Sequence, residues 1–119
     1  KLNGQFEAPM GFKFSPVYRF QAGSNFRRTF VTRELNYANP SIRAEAANAR
    51  RQPHINIVDL RIDRAFTIAK GRLAPFVDLY NLFNANPTQS ITTSSGTSWL
   101  RPVLVVPPRV IRIGAKFDW

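Results

Sequence analysis

The sequence predicts an all-β chain: an antiparallel up-and-down meander of about five long strands, forming the C-terminal part of a transmembrane β-barrel. Three observations predict it. Apolar residues recur with period two in five segments, which is the spacing of strands rather than helices. Tight turns alternate with long polar connections, so a meander would gather its short turns at one end and its long loops at the other. The final segment carries an apolar face from Ile111 through Ile113, Ala115 and Phe117 to Trp119.

Each element follows from the same reading. Residues 2–8 place Leu2, Gly4, Phe6 and Ala8 on one face and Asn3, Gln5 and Glu7 on the other. A tight turn at 9–11 (Pro9-Met10-Gly11) leads into a strand over 12–23. There Phe12, Phe14, Pro16, Tyr18, Phe20 and Ala22 oppose Lys13, Ser15, Val17, Arg19 and Gln21. A long polar loop is expected over about 24–54, and its Ala-rich part, 42–51, predicts a short helix. The strand over 55–68 sets Val58, Leu60, Ile62, Phe66 and Ile68 against Asp59, Arg61, Asp63 and Thr67, with Arg64 interrupting the apolar face. A tight turn over 69–72 joins it to a strand over 73–84, which presents Leu73, Pro75, Val77, Leu79 and Phe83 on one face. Phe76, Asp78, Tyr80, Leu82 and Asn84 hold the other. Pro75 lacks a ladder donor and is expected near the strand start or an irregularity. A second long loop covers about 85–107, and its Ser/Thr-rich part, 90–98, reads as flexible. The last strand covers 110–119, with Val110, Arg112, Gly114, Lys116 and Asp118 on its polar side.

Aromatics gather where barrels place their girdles: Trp119, Phe117, Phe66 and Phe12 toward the short turns, and Phe20, Phe83 and Trp99 toward the long loops. Arg64 is expected near the short-turn rim, where a long cationic side chain can snorkel to headgroups. The face of Val58, Leu60, Ile62, Phe66, Ile111, Ile113 and Ala115 is expected to meet lipid. The face of Asp59, Arg61, Asp63, Asp78 and Lys116 is expected to meet the lumen.

Composition bounds the function. The 119 residues are 44 % hydrophobic and 13 % aromatic, which excludes disorder by composition. Seventeen Lys and Arg against seven Asp and Glu give a net charge of +10. That balance points to an anionic partner: nucleic acid, lipid headgroups or lipopolysaccharide. With no cysteine, disulfides and thiolate metal sites are excluded. No apolar run reaches the length of a transmembrane helix, which leaves barrel strands open. Lys1-Leu2-Asn3-Gly4 opens mid-pattern without a signal peptide, so the chain is expected to be the tail of something longer.

Few residues suggest chemistry. His54 is the one histidine, at a loop-to-strand junction, and without cysteine partners it makes a poor metal ligand. Asp59, Asp63 and Asp78 with Arg61 invite an acid–base reading. Opposite charges facing across a hairpin make a charge ladder the stronger reading. Arg27, Arg28, Arg33, Arg50 and Arg51, with Arg43, crowd the first long loop beside Glu34 and Glu45. They are candidate contacts for phosphate or another anion, against the plainer reading of a solvated loop. No phosphate loop, dinucleotide turn or nucleophile elbow is present. The chain is therefore not expected to be an enzyme, nor to hold a cofactor or metal.

The terminal segment Arg112-Ile113-Gly114-Ala115-Lys116-Phe117-Asp118-Trp119 resembles the β-signal of outer-membrane proteins, with Arg112, Gly114, Phe117 and Trp119 at its four positions. Three segments, 58–66 (VDLRIDRAF), 76–84 (FVDLYNLFN) and 108–114 (PRVIRIG), resemble the final strands of TonB-dependent receptors, most of all Oar-like receptors with a carboxypeptidase-regulatory-like domain. Residues 18–23 (YRFQAG) resemble an upstream strand of that family, with Ala22 where Ser is usual. The resemblance spans nearly the whole chain. It implies an outer-membrane location in a Gram-negative bacterium and docking of the last strand onto the barrel-assembly machinery. It also implies partnership with the remainder of the barrel and plug, in the same or another chain, with outer-membrane lipid and lipopolysaccharide, and with the TonB complex through N-terminal regions. The plug, the TonB box and most of the roughly 22 strands of such barrels lie outside these residues.

Two other readings stand beside it. One is a soluble basic five-stranded OB-like barrel that binds single-stranded nucleic acid through stacked aromatics and Arg/Lys. The basic residues concentrate in one loop rather than among strand aromatics, which counts against it. The other is a smaller, non-transporting barrel or secreted β-domain that shares only the sorting tail.

Overall fold

The computed structural model describes residues 1–32, 40–68 and 70–119. Among these the chain is all-β, with antiparallel sheets, one single-turn 3-10 helix at Pro9–Gly11 and no α-helix. The strands in chain order are β1 (Leu2–Asn3), β2 (Phe6–Ala8), β3 (Phe12–Gln21), β4 (Asn25–Phe26), β5 (Thr29–Val31), β6 (Ser41–Arg43) and β7 (Arg50–Arg51). They continue as β8 (Ile55–Arg64), β9 (Phe66–Ile68), β10 (Gly71–Tyr80), β11 (Thr88–Ile91), β12 (Pro102–Val105) and β13 (Val110–Asp118). The chain forms two compact units.

The first unit comprises Lys1–Phe20, Asn56–Ala85 and Pro107–Trp119. It is one sheet in the order β1-β3-β8-β10-β13, with β2 also on β3 and β9 also on β10. Chain order is sheet order, so five rows of strand run as a meander. Leu2 pairs with Tyr18 and Phe6 with Phe14 in one unbroken register, so β1 and β2 are one row interrupted at Gly4 and Gln5. Likewise Asp63 pairs with Phe76 and Phe66 with Leu73, so β8 and β9 form one row interrupted at Ala65. Tyr18 meets Asn56, and Phe12 lies against Arg64. As β3 advances, its partners in β8 recede, so those two strands are antiparallel. The short turns at Pro9–Gly11 and after Ile68 therefore share one end of the sheet with Trp119. The sheet is open, ending at β1 and β2 on one side and β13 on the other.

The register decides which side chains share a face, because paired residues point the same way and neighbours alternate. On one face Leu60, Leu79 and Ile111 form a row, Ile62, Val77 and Ile113 the next, and Phe66, Leu73 and Phe117 a third. Tyr18, Val58 and Ala115 join this face. Nothing covers it within the unit: Ile113 is 78 %, Ile111 59 %, Phe6 65 % and Leu2 70 % exposed. Fully burying such a side chain is worth about 1.5–3 kcal/mol, and this unit leaves that energy unused. Its buried side chains are polar instead, Asp78 and Asn81.

The second unit comprises Gln21–Ile55 and Asn86–Val106. Three small antiparallel pairs build it: β4 with β7, β5 with β6, and β11 with β12. A parallel bridge joins Thr29 to Ser94, and Ser95 N–H donates to the Thr29 carbonyl at 2.7 Å. Ile55 and Val106 are its buried apolar side chains.

Four expectations are corrected. The short helix over 42–51 does not form: Ala49 N–H donates back to Ala46 in a turn, Asn48 takes a left-handed φ of 66°, and Arg50 and Arg51 pair with Phe26 and Asn25. The strand expected over 73–84 begins at Gly71 and stops at Tyr80, because Asn81 takes φ 52° and Asn84 φ 53°. The turn expected over 69–72 is shorter, since Gly71 and Arg72 already pair with Ile68 and Thr67; Ala69 lies outside the described residues. The Ser/Thr-rich stretch 90–98 is tied down by the end of β11, by the Thr29–Ser94 bridge and by Thr92 N–H donating to Arg101 O at 2.9 Å.

Candidate functional site

The charged face of the first unit is the most organised polar array. It grows from the alternation that builds the apolar face. Asp78 pairs with Arg61 on one side and Arg112 on the other, so one carboxylate sits between two guanidiniums. Arg112 Nε donates to Asp78 Oδ2 at 2.9 Å, and Arg61 lies 3.6 Å from Asp78 Oδ1. Arg61 also lies 3.6 Å from Asp63. Arg19 donates to Asp59 Oδ2 at 2.6 Å, while Asp59 Oδ1 accepts the Asn81 N–H at 2.9 Å. Lys116 pairs with Asp118 at 3.1 Å and Lys13 with Glu7 at 3.1 Å. Asp59, Arg61, Asp63, Asp78 and Lys116 thus share this face as ion pairs. Among the described residues Asp59, Asp63 and Asp78 each have a guanidinium partner, rather than a second carboxylate as in an acid–base dyad. A hollow of about 530 Å³ opens on this side, bordered by Ser15, Arg19, Asp59, Arg61, Asp78 and Tyr80.

Phe76 and Gly114 are directly paired on this face. The Phe76 ring lies over Gly114, with the Arg61 guanidinium carbon 4.3 Å and that of Arg112 5.6 Å from its centroid. A Cβ on Gly114 would stand 2.5 Å from Phe76 Cζ. A side chain at the glycine two residues after Arg112 would therefore force the ring to shift, an aromatic covering a bare strand glycine. The other two residues of the terminal motif form a ring pair: Phe117 and Trp119 have centroids 6.0 Å apart, and Trp119 is 97 % exposed.

Asn81 closes the far end of the hairpin. Its amide donates to Ala85 O at 2.7 Å and Pro107 O at 2.8 Å, and its side-chain oxygen accepts the Ala85 N–H at 2.8 Å. Asn84 Oδ1 accepts the Arg109 N–H at 3.0 Å. The two asparagines of the segment 81–84 thus turn the chain and anchor it where β13 approaches. Sequence reasoning took them for strand residues. The Asn-x-x-Asn spacing was the signal, since asparagine tolerates left-handed φ and bonds its own backbone.

In the second unit three of the candidate anion contacts, Arg28, Arg50 and Arg51, are engaged with protein groups. Glu45 receives the Arg50 side chain at 2.9–3.1 Å and the Arg28 N–H at 3.0 Å. The Arg50 hydrogen bond, seconded by the Arg28 N–H, holds the Glu45 carboxyl below its ordinary value, and the same bond raises Arg50. Arg28 and Arg50 both lie over the Trp99 ring, at 5.0 and 5.5 Å, and Arg28 Nε donates to Ser95 at 2.9 Å. Sequence reasoning missed Trp99 as the centre of this cluster. Arg51 Nε donates to Gly23 O at 3.1 Å, and His54 Nδ1 accepts the Gly23 N–H at 3.2 Å. Gly23 is needed there, because a Cβ would overlap the Gln52 carbonyl. Arg27 is half-buried; Arg33 and Glu34 lie outside the described residues. Among the described residues no group of His and carboxylates is placed to hold a metal ion.

Neither a protein-family model, nor a curated protein, nor a solved structure matches the chain.

Proposed function

We propose that the chain forms the last strands of a TonB-dependent receptor barrel in the outer membrane of a Gram-negative bacterium. It supplies barrel wall, extracellular loops and the assembly signal at its end. The observation that carries this reading is a single-layer meander whose apolar face has no cover, while its other face is satisfied by ion pairs. A soluble domain has the reverse need. Monomers rarely expose contiguous apolar patches beyond a few hundred Å², whereas lipid covers such a face without a second protein layer. Strands β3, β8 and β10 have 10 residues and β13 has 9; spanning a bilayer takes about 9–11.

In this reading Val58, Leu60, Ile62, Phe66, Ile111, Ile113 and Ala115 face lipid, and the Asp78 ladder faces the lumen. The free edge of β13 pairs with the barrel-assembly machinery and then with another strand of the barrel, by strand addition. The full chain in bacterial membranes is expected to resist extraction by alkaline carbonate and to require detergent. Deleting Trp119 is expected to leave it unassembled and proteolysed. A chain that washes off without detergent and melts sharply as a soluble monomer overturns the proposal. Salt-sensitive oligonucleotide binding by that monomer would transfer the case to the OB-like reading.

A further inference from the structure

We infer that Arg64, with Phe12 and Phe66, forms a seat for a single anionic phospholipid, the phosphate on the guanidinium and an acyl segment in the adjoining hollow. The inference rests on the proposal that this face meets lipid.

Arg64 is the one cation in the apolar rows of β8 and β9, falling between Ile62 and Phe66. Its guanidinium carbon lies 4.5 Å from the Phe66 centroid and 4.8 Å from that of Phe12. Among the described residues no carboxylate stands within ion-pair distance of it. The nearest in sequence, Asp63, alternates to the opposite face and pairs there with Arg61. Arginine facing lipid costs about 2–4 kcal/mol at the midplane and far less toward the interface. Arg64 is four residues before Ile68, the last residue of β9, placing it about 13 Å along the strand from that end, less in depth for a tilted strand. It therefore lies in the short-turn half of the row, from where a long side chain can snorkel toward the headgroup layer. Two rings flank the guanidinium, and among the described residues none of its N–H groups is hydrogen-bonded or ion-paired, so they can serve a bidentate phosphate.

Beside it is a hollow of about 210 Å³ with an almost wholly apolar lining that includes Phe12, Ile62, Phe66, Val77 and Ile113, with Asp63 also on its border. That lining suits an acyl segment and gives a free phosphate ion nothing to bind except Arg64. An ethanolamine headgroup would bring its ammonium toward Arg64, so a phosphate without a compensating cation, such as phosphatidylglycerol, is the better ligand. In the proposed orientation the short-turn end faces the periplasm, so the lipid comes from the phospholipid leaflet rather than from lipopolysaccharide.

The test uses the complete barrel of which this chain forms the last strands, inserted in vesicles, extracted in detergent and examined by native mass spectrometry with added phosphatidylglycerol or phosphatidylethanolamine. One phosphatidylglycerol should be retained per chain, in preference to phosphatidylethanolamine. Arg64→Gln should weaken retention about tenfold, the loss of one charged hydrogen-bonded contact. Arg64→Lys should keep part of it, and Arg72→Gln, on the opposite face, should change nothing. Equal retention of the two lipids, or an unaffected Arg64→Gln, overturns the inference and leaves the membrane proposal standing. Displacement by soluble glycerol phosphate also overturns it, by showing a plain phosphate site. Failure of the chain to insert overturns both.

Discussion

Replacing Gly114 by alanine tests whether Phe76 dictates the glycine of the terminal motif. The added Cβ would meet Phe76 Cζ at 2.5 Å and the two Cε atoms at 3.0 and 3.2 Å. Two guanidiniums that share Asp78, those of Arg61 and Arg112, lie 4.3 and 5.6 Å from the ring centroid and hinder its displacement. Overpacking of this kind costs about 1–3 kcal/mol. Relieving glycine's extra chain entropy returns about 0.5–1 kcal/mol, so a net loss of about 1 kcal/mol is expected, within a range of about 0–2.5. The assay is urea unfolding of the full chain in detergent micelles, for wild type, Gly114→Ala, Phe76→Leu and the double variant. Because the clash exists only when both groups are present, the double variant should be more stable than additivity predicts by about 1 kcal/mol or more. A Gly114→Ala chain as stable as wild type, or strict additivity, would refute the reasoning.

Other substitutions probe separate features. Asn81→Ala removes three side-chain hydrogen bonds and strains a left-handed residue, so a loss of about 3–5 kcal/mol is expected in the same unfolding assay. Asn81→Gly should lose the bonds without the strain and fall about 1 kcal/mol less far. Asp78→Asn leaves two guanidiniums without their shared charge; because both are half-exposed, the expected loss is only about 1–2 kcal/mol. Glu45 carries a lowered folded-state pKa, with Arg50 the first cause. Its contribution is therefore present above the ordinary glutamate value and is lost as pH falls through the lowered one. Trp99 fluorescence in a Trp119→Phe background should change across that acid window and should not in Glu45→Gln, and a transition near neutrality would contradict the assignment.

The two faces of each strand are legible because alternation is a property of the backbone, and burying one apolar face brings Leu60, Val77 and Ile113 to the same side. The ladder around Asp78 was half legible. Its members were visible, but which guanidinium met which carboxylate depended on register, which the hairpin turn sets. Strand ends were less legible. Tyr80, Leu82 and Asn84 continue the period of two, and only the left-handed turn at Asn81 ends it. The long connections misled most. Alanines at 44, 46, 47 and 49 favour a helix in isolation, yet Arg50 and Arg51 find strand partners at Phe26 and Asn25, and Glu45 is claimed by Arg28 and Arg50. The strand pairs among these join residues more than 20 apart and leave no local trace.

The unbroken register across Ala65 has a consequence for how this chain can vary. In β8 and β9 even-numbered residues belong to the apolar side, and in β10 and β13 odd-numbered ones do. Deleting one residue between Leu60 and Ile68 would reverse this parity for everything on one side of the cut, setting aspartates among isoleucines. Deleting two would only shorten the strand. Length changes inside these rows are thus admissible in pairs, whereas the connections over 24–54 and 85–107 can lengthen or shrink one residue at a time. Divergence in length should collect there, and relatives should differ within the strands by even steps.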